Sequence, residues 1–191
     1  TSEVRSTHPE LRILVTGDSH THGVCDADET FSALVEADLQ ARGRDAEVLN
    51  AGVGGYCPYN YLGVLERYLP LEPDVFVVAF YGGNDFYDAL PLFHLFEGTR
   101  MQVGGPAYRA RIERAAQIDQ GRGREVQGLL ACHFFAEFPD QTRTALLAAC
   151  QVTSEIVRRC GQAGVVPVFV HLPAAHELEW ETAFAALRSG A

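Results

Sequence analysis

Lysine is absent from this 191-residue chain, so all 15 fixed side-chain cations are arginines. That excludes chemistry that begins from a lysine nucleophile or Schiff base. Basic charge is scarce altogether: 25 acidic residues bring the formal net charge to −10. Phosphate neutralisation needs clustered Lys and Arg, so no nucleic-acid partner and no anionic membrane surface are expected. No apolar run approaches the roughly 18 residues needed to span a bilayer, which argues against an integral membrane segment. The polar start from Thr1 to Glu10 resembles neither a signal nor a transit peptide. Compartment stays open, with the cytoplasm favoured and a processed secreted form as the alternative.

Close cysteine pairs are also missing. Cys25, Cys57, Cys132, Cys150 and Cys160 are an odd set without zinc or iron–sulfur spacing, so they read as buried apolar groups or inert surface thiols. What is present is an ordinary globular composition, 47% hydrophobic and 21% charged. A chain of this size buries about two thirds of its unfolded surface, enough for a single core.

Hydrophobic patterning predicts strands at Leu11–Thr16, Glu47–Asn50, Val75–Phe80 and Val165–Val170. Helices are predicted over Thr30–Arg42, Tyr59–Leu69, Gln141–Gln162 and Ala175–Leu187. In the first of these, Phe31, Leu34, Val35 and Leu39 form the apolar stripe. Alternating strands and helices with short connections favour an α/β fold with a parallel sheet covered by helices. The stretch from Asp88 to Pro106 mixes Pro and Gly with Leu and Phe and reads as a lid or acyl-pocket wall, the lid or insertion extending over 88–128. Arg109–Arg124 reads as a polar surface helix or excursion, and the whole of 1–191 as one domain.

The chemistry gathers where strands end. In open α/β sheets ligands sit beyond the carboxyl ends of the strands. Gly17-Asp18-Ser19 follows the first strand, Asn50 to Gly55 the second, Gly82 to Asp85 the third and His171 the fourth. A serine hydroxyl needs a base before it attacks an ester, and the tetrahedral intermediate needs donors aimed at its oxygen. Ser19 N–H, Gly55 N–H and the Asn84 carboxamide can supply three. Each piece has a plainer reading: Asp18 as a turn cap, the glycines as backbone geometry, Asn84-Asp85 as an Asx turn.

These three blocks resemble the SGNH hydrolases, also called the GDSL esterase and lipase superfamily. Gly17-Asp18-Ser19 with Thr21 and Gly23 resembles the first block, Asn50 to Gly55 the second, and Gly82-Gly83-Asn84-Asp85 the third. The resemblance implies a flavodoxin-like α/β/α sandwich with a mainly parallel sheet. It implies Ser19 as nucleophile, with Gly55 and Asn84 in the oxyanion hole. Ser19 to Gly23 and the Ala51–Tyr56 turn resemble branches that modify polysaccharides. The implied reaction is serine-dependent hydrolysis of a small ester, O-acetyl groups on a carbohydrate included, without metal or organic cofactor. Asp18, His20, Tyr56, Asp85 and Phe86 are the candidate substrate contacts.

One family element does not occur. No Asp-x-x-His is found in the 191 residues, and no aspartate follows Asp140. The expectation is a C-terminally truncated chain or a substitute base. His171 is the candidate placed best by topology, with His20, His22 and His176 behind it, and Glu177 or Glu179 able to orient His176. His94 is placed in the lid and His133 in a helix or pocket wall. His20, His22 and Asp18 can also be read as a metal cluster. Two further functions stay open at this point: an O-acyltransferase, if a sugar hydroxyl replaces water, and a non-catalytic ligand-binding domain.

Overall fold

In the computed structural model residues 4–101 and 138–174 are described, with positions 106 and 110. The elements run β1 (Leu11–Gly17), α1 (Ser19–His22), α2 (Phe31–Ala41), β2 (Ala46–Asn50), α3 (Pro58–Tyr68), β3 (Val75–Tyr81), α4 (Asp85–Phe96), α5 (Pro139–Ala163) and β4 (Val166–Leu172). The sheet order is β2-β1-β3-β4. β1 pairs in parallel with both β2 and β3, Leu14 lying opposite Leu49 on one side and Phe76 on the other. This is an α/β three-layer fold around a mainly parallel sheet, as the strand–helix alternation implies. The sequence expectations for Arg109–Arg124, His133, His176 and Ala175–Leu187 fall outside the described residues.

The chain divides into two compact units, one of Thr1–Phe80 with Ala149–His171, the other of Tyr81–Ala148 with Leu172–Ala191. In the first, one sheet face is covered by α3 and the later turns of α5. Leu14, Leu65, Phe76, Val78, Ile156 and Cys160 are buried together there. Each such side chain contributes about 1.5–3 kcal/mol of burial, which anchors the strands whose ends carry the loops. The opposite face holds Ile13, Val15 and Val48 with Leu39 of α2.

The orientation of α2 corrects the sequence reading. Phe31, Leu34 and Val35 are 38%, 58% and 43% exposed, while Ser32 is buried and Leu39 alone of the expected stripe joins the core. The reason is the edge strand. β2 has a free backbone edge, and α2 supplies its partners: Glu36 Oε2 accepts the Val48 N–H at 2.6 Å and Gln40 Nε2 donates to the Ala46 carbonyl at 3.0 Å. A helix that satisfies an edge must turn polar residues inward.

In the second unit, the segment from Asp88 that reads as a lid or acyl-pocket wall begins within helix α4. Asp85 and Asp88 sit in its first turn, where the helix dipole favours carboxylates. Leu90 is buried with Ala145 against Phe86, Tyr87, Met101 and Phe138. That packing outweighs Pro91, which forfeits one internal helical bond. His94 ties the two helices of this unit, its ring nitrogens 2.7 Å from Thr99 Oγ1 and 3.0 Å from Gln141 Oε1. It is buried, with both ring nitrogens engaged. Among the described residues no helix is long and apolar enough to cross a membrane.

Candidate active site

β1 stops at Gly17 because the chain turns there into α1. Asp18 is the N-cap: its carboxylate accepts the His20 N–H at 2.9 Å, and it is only 1% exposed. The His20 ring lies 3.2 Å from the same carboxylate and the Ser19 hydroxyl 3.5 Å from it. Ser19 is the exposed first residue of α1. Its N–H is one of the orphan donors of a helix start and, among the described residues, meets no acceptor. The turn can be this tight only with glycine at 17. A Cβ there would collide with the Thr21 side chain and lie 2.9 Å from the Ala79 carbonyl.

The loop after β2 is fastened to this turn at several points. Asn50 closes an Asx turn on Gly52 N–H at 2.9 Å, and its Nδ2 donates to the Thr21 carbonyl at 2.8 Å. Val53 N–H donates to the Gly17 carbonyl at 3.2 Å. At Gly52 a Cβ would lie 2.7 Å from the His22 amide nitrogen, so only glycine permits the approach. At Gly54 a Cβ would stand 3.7 Å from the Ser19 Cβ, which puts this loop beside the serine. Gly55 follows with φ +82°, and its N–H also finds no acceptor among the described residues. Tyr56 is half-buried against the core that contains Tyr61, whose hydroxyl donates to the Tyr56 carbonyl at 3.3 Å.

In the second unit Asn84 occupies the N-cap position of α4 without a capping bond, and its Nδ2 donates to Asp88 Oδ2. Asn84 is 6% and Asp85 0% exposed, and Asp85 Oδ2 accepts the Tyr81 N–H at 2.9 Å. Phe86 packs with Leu90.

The family model of the GDSL-like Lipase/Acylhydrolase family matches residues 15–186. The chain belongs to that family. Comparison with curated proteins gives no match. Among solved structures, the SGNH-hydrolase family esterase AlinE4 is 28% identical over 49% of this chain and 55% of its own, with a TM-score of 0.37. The segment matched there spans about half the length of that AlinE4 chain. TesA is 21% identical, covering 82% of this chain and 76% of its own at TM-score 0.38. A mutant of Axe2, an acetylxylan esterase from Geobacillus stearothermophilus, is 15% identical, covering 85% and 77% at TM-score 0.36.

Within this GDSL-family chain, the first two sequence blocks form one contiguous piece. Asp18, Ser19, His20 and the Gly54-Gly55 turn all belong to it. Three contributors escaped sequence reading: Asn50 as a latch, Thr21 as a wedge facing both Gly17 and Gly52, and Gly54 as the residue beside the serine. The signal for each was a small or side-chain-bonding residue inside a block valued for another position. His171 lies within β4 rather than past it, and is exposed. β3 separates β4 from β1, which spaces their backbones by about 10 Å at ~4.8 Å per strand. Among the described residues no three His, Cys, Asp or Glu side chains group as metal ligands.

Proposed function

We propose that this chain carries the acyl-transfer site of a serine esterase acting on a small ester, with O-acetyl groups on a carbohydrate as the substrate class. Ser19 Oγ attacks the ester carbonyl carbon and passes its proton to a base, for which His171 is the candidate. The carbonyl oxygen takes up the negative charge and is met by Ser19 N–H and Gly55 N–H, Asn84 being the third donor that the family resemblance implies. Collapse expels the alcohol, which takes the proton back, and leaves an acyl-Ser19 ester. Water then adds, its proton moving to the same base, and the bond to Ser19 Oγ breaks as the base returns that proton to the serine and the acid departs.

The observation that supports this reading is a pair of backbone N–H groups without acceptors among the described residues, at Ser19 and Gly55, on two loops held together beside one exposed hydroxyl. Donors fixed before the charge develops need no reorganisation when it does, which is how such a site lowers a barrier. The test is intact-mass analysis after brief exposure to p-nitrophenyl acetate. A +42 Da acetyl adduct (about the mass of ketene added) that disappears in Ser19→Ala supports the reading. No adduct at any pH between about 6 and 9 leaves a binding domain in its place.

A further inference from the structure

A cavity of about 360 Å³ opens beside α1, along the free edge of β2. Its long walls are two rows in register with their own periodicities: Ser32, Glu36 and Gln40 on α2, four residues apart, and Val48 and Asn50 on β2, two apart. His22 of α1 also lines it. Ser19 is not among its lining residues, so it is separate from the reacting centre, yet His22 and Gly52 join it to the loops that hold the serine.

The chemistry of these walls is selective. Glu36 is the one acidic or basic lining residue with a fixed charge, and among the described residues it forms no ion pair. Its two oxygens each hold one bond, to Gln40 Nε2 and Val48 N–H, and keep further acceptor capacity. Gln40 spends its amide hydrogens on Glu36 and Ala46, so its Oε1 remains an acceptor. The Ser32 hydroxyl is bonded to Thr30, and the His22 ring makes no hydrogen bond among the described residues. Acceptors therefore dominate, next to the small apolar surfaces of Ala33, Ala37 and Val48. Acceptors ask for hydroxyl donors, small apolar surfaces suit a C–H face, and an unpaired carboxylate repels anions. The volume lies at the low end of the roughly 300–1,000 Å³ usual for ligand sites, enough for one sugar ring.

We propose that this groove is a sugar subsite that takes a neutral pyranoside ring and discriminates against uronates. Its role as the seat for the non-reacting part of an acylated sugar rests on the esterase reading. Its affinity for a sugar does not.

Saturation-transfer NMR with the full chain carrying Ser19→Ala separates the two, because methyl β-D-glucopyranoside contains no ester. The expected result is transfer to the glucoside, and a signal from glucuronate weaker by about tenfold, since a like charge placed beside Glu36 costs affinity. Ala37→Trp, which fills the groove from an exposed helix position, should reduce the glucoside signal by about fivefold or more. Glu36→Gln keeps the acceptor for Val48 N–H but removes the charge, and should narrow the glucoside-to-glucuronate ratio. No glucoside signal, equal signals from both sugars, displacement of the glucoside by methylammonium at equal concentration, or an unchanged ratio in Glu36→Gln would overturn the proposal. Failure of the acetyl adduct with glucoside binding intact would instead remove the esterase reading alone.

Discussion

Asp18 holds His20 by its backbone, the carboxylate accepting the His20 N–H at 2.9 Å from a position 1% exposed to solvent. This contact starts α1 with a single residue between it and the strand, and so sets the direction in which Ser19 leaves the sheet. Asp18→Ala should cost about 1 kcal/mol through the lost cap. It should lower kcat for p-nitrophenyl acetate by about 100-fold with KM nearly unchanged, because a displacement near 1 Å is enough to do so. Asp18→Asn keeps an oxygen for the His20 N–H and should recover most of that loss. Wild-type kcat in Asp18→Ala would show that the cap does not position the serine.

Gly52 and Gly54 sit two residues apart in one loop but face different space. A methyl at 52 would meet the His22 amide nitrogen at 2.7 Å, a backbone atom that cannot swing aside. At 54 it would meet Ser19 Cβ at 3.7 Å, an ordinary contact. Gly52→Ala should therefore destabilise by about 1–3 kcal/mol and separate the loops, abolishing most activity. Gly54→Ala should melt within a degree or two of wild type (about 0.5 kcal/mol or less). Urea melts and acylation rates of both variants check this, and equal losses would contradict the described packing.

Asn84 provides a test in the second unit. It makes no capping bond to the α4 backbone, so its removal costs the helix only the bond to Asp88. If its carboxamide serves the oxyanion, Asn84→Ala should reduce kcat by about 10²–10³ with little change in thermal stability. A loss of stability without a loss of kcat would assign Asn84 to its bond with Asp88 instead.

The strands and the glycine loops were legible because each signal was local: an apolar run, then a residue only a turn requires. β1, β2 and β3 lie within one or two residues of expectation. What was not legible depended on partners distant in sequence. The inward face of α2 is polar because β2 lacks a neighbour on one side, which no periodicity in α2 itself records. α4 was hidden by Pro91, whose breaking signal is real but smaller than the burial of Leu90. Of the candidate site, the serine, its cap and its glycine turn could be read as motifs. The fastening between them by Asn50 and Thr21 could not, since it joins residues about 30 apart, Asn50 to Thr21 at |i−j| of 29.

Arg12 and Glu47 form an ion pair at 2.7 Å with side chains 6% and 4% exposed, at the end of the sheet away from the serine loop. Arg12 also donates to the Leu71 carbonyl, and Glu47 Oε1 accepts the Arg5 N–H. Removing one partner leaves the other charged and buried. Glu47→Ala should destabilise the fold by about 3–5 kcal/mol, whereas Arg12→Met with Glu47→Leu should lose much less than the sum of the single changes. Urea unfolding measures both. A single-variant loss below about 1 kcal/mol would mean water reaches the pair.

His8 gives stability a pH dependence of known sign. Its Nδ1 faces the Pro9 carbonyl and its Nε2 the Glu72 carbonyl, each at 2.8 Å. Only the imidazolium can donate to both, so the Glu72 carbonyl first and the Pro9 carbonyl second raise the pKa above its ordinary value. A raised folded-state pKa means the folded chain binds the proton more tightly than the unfolded one. The contribution is therefore complete below the unfolded pKa of about 6.5 and is lost as pH climbs through the higher folded value. His8→Gln cannot be protonated. Its Tm should fall short of wild type most at about pH 5.5, and the gap should shrink by about pH 9. A gap that stays constant or widens on raising the pH would mean that the neutral ring is the form held between the two carbonyls.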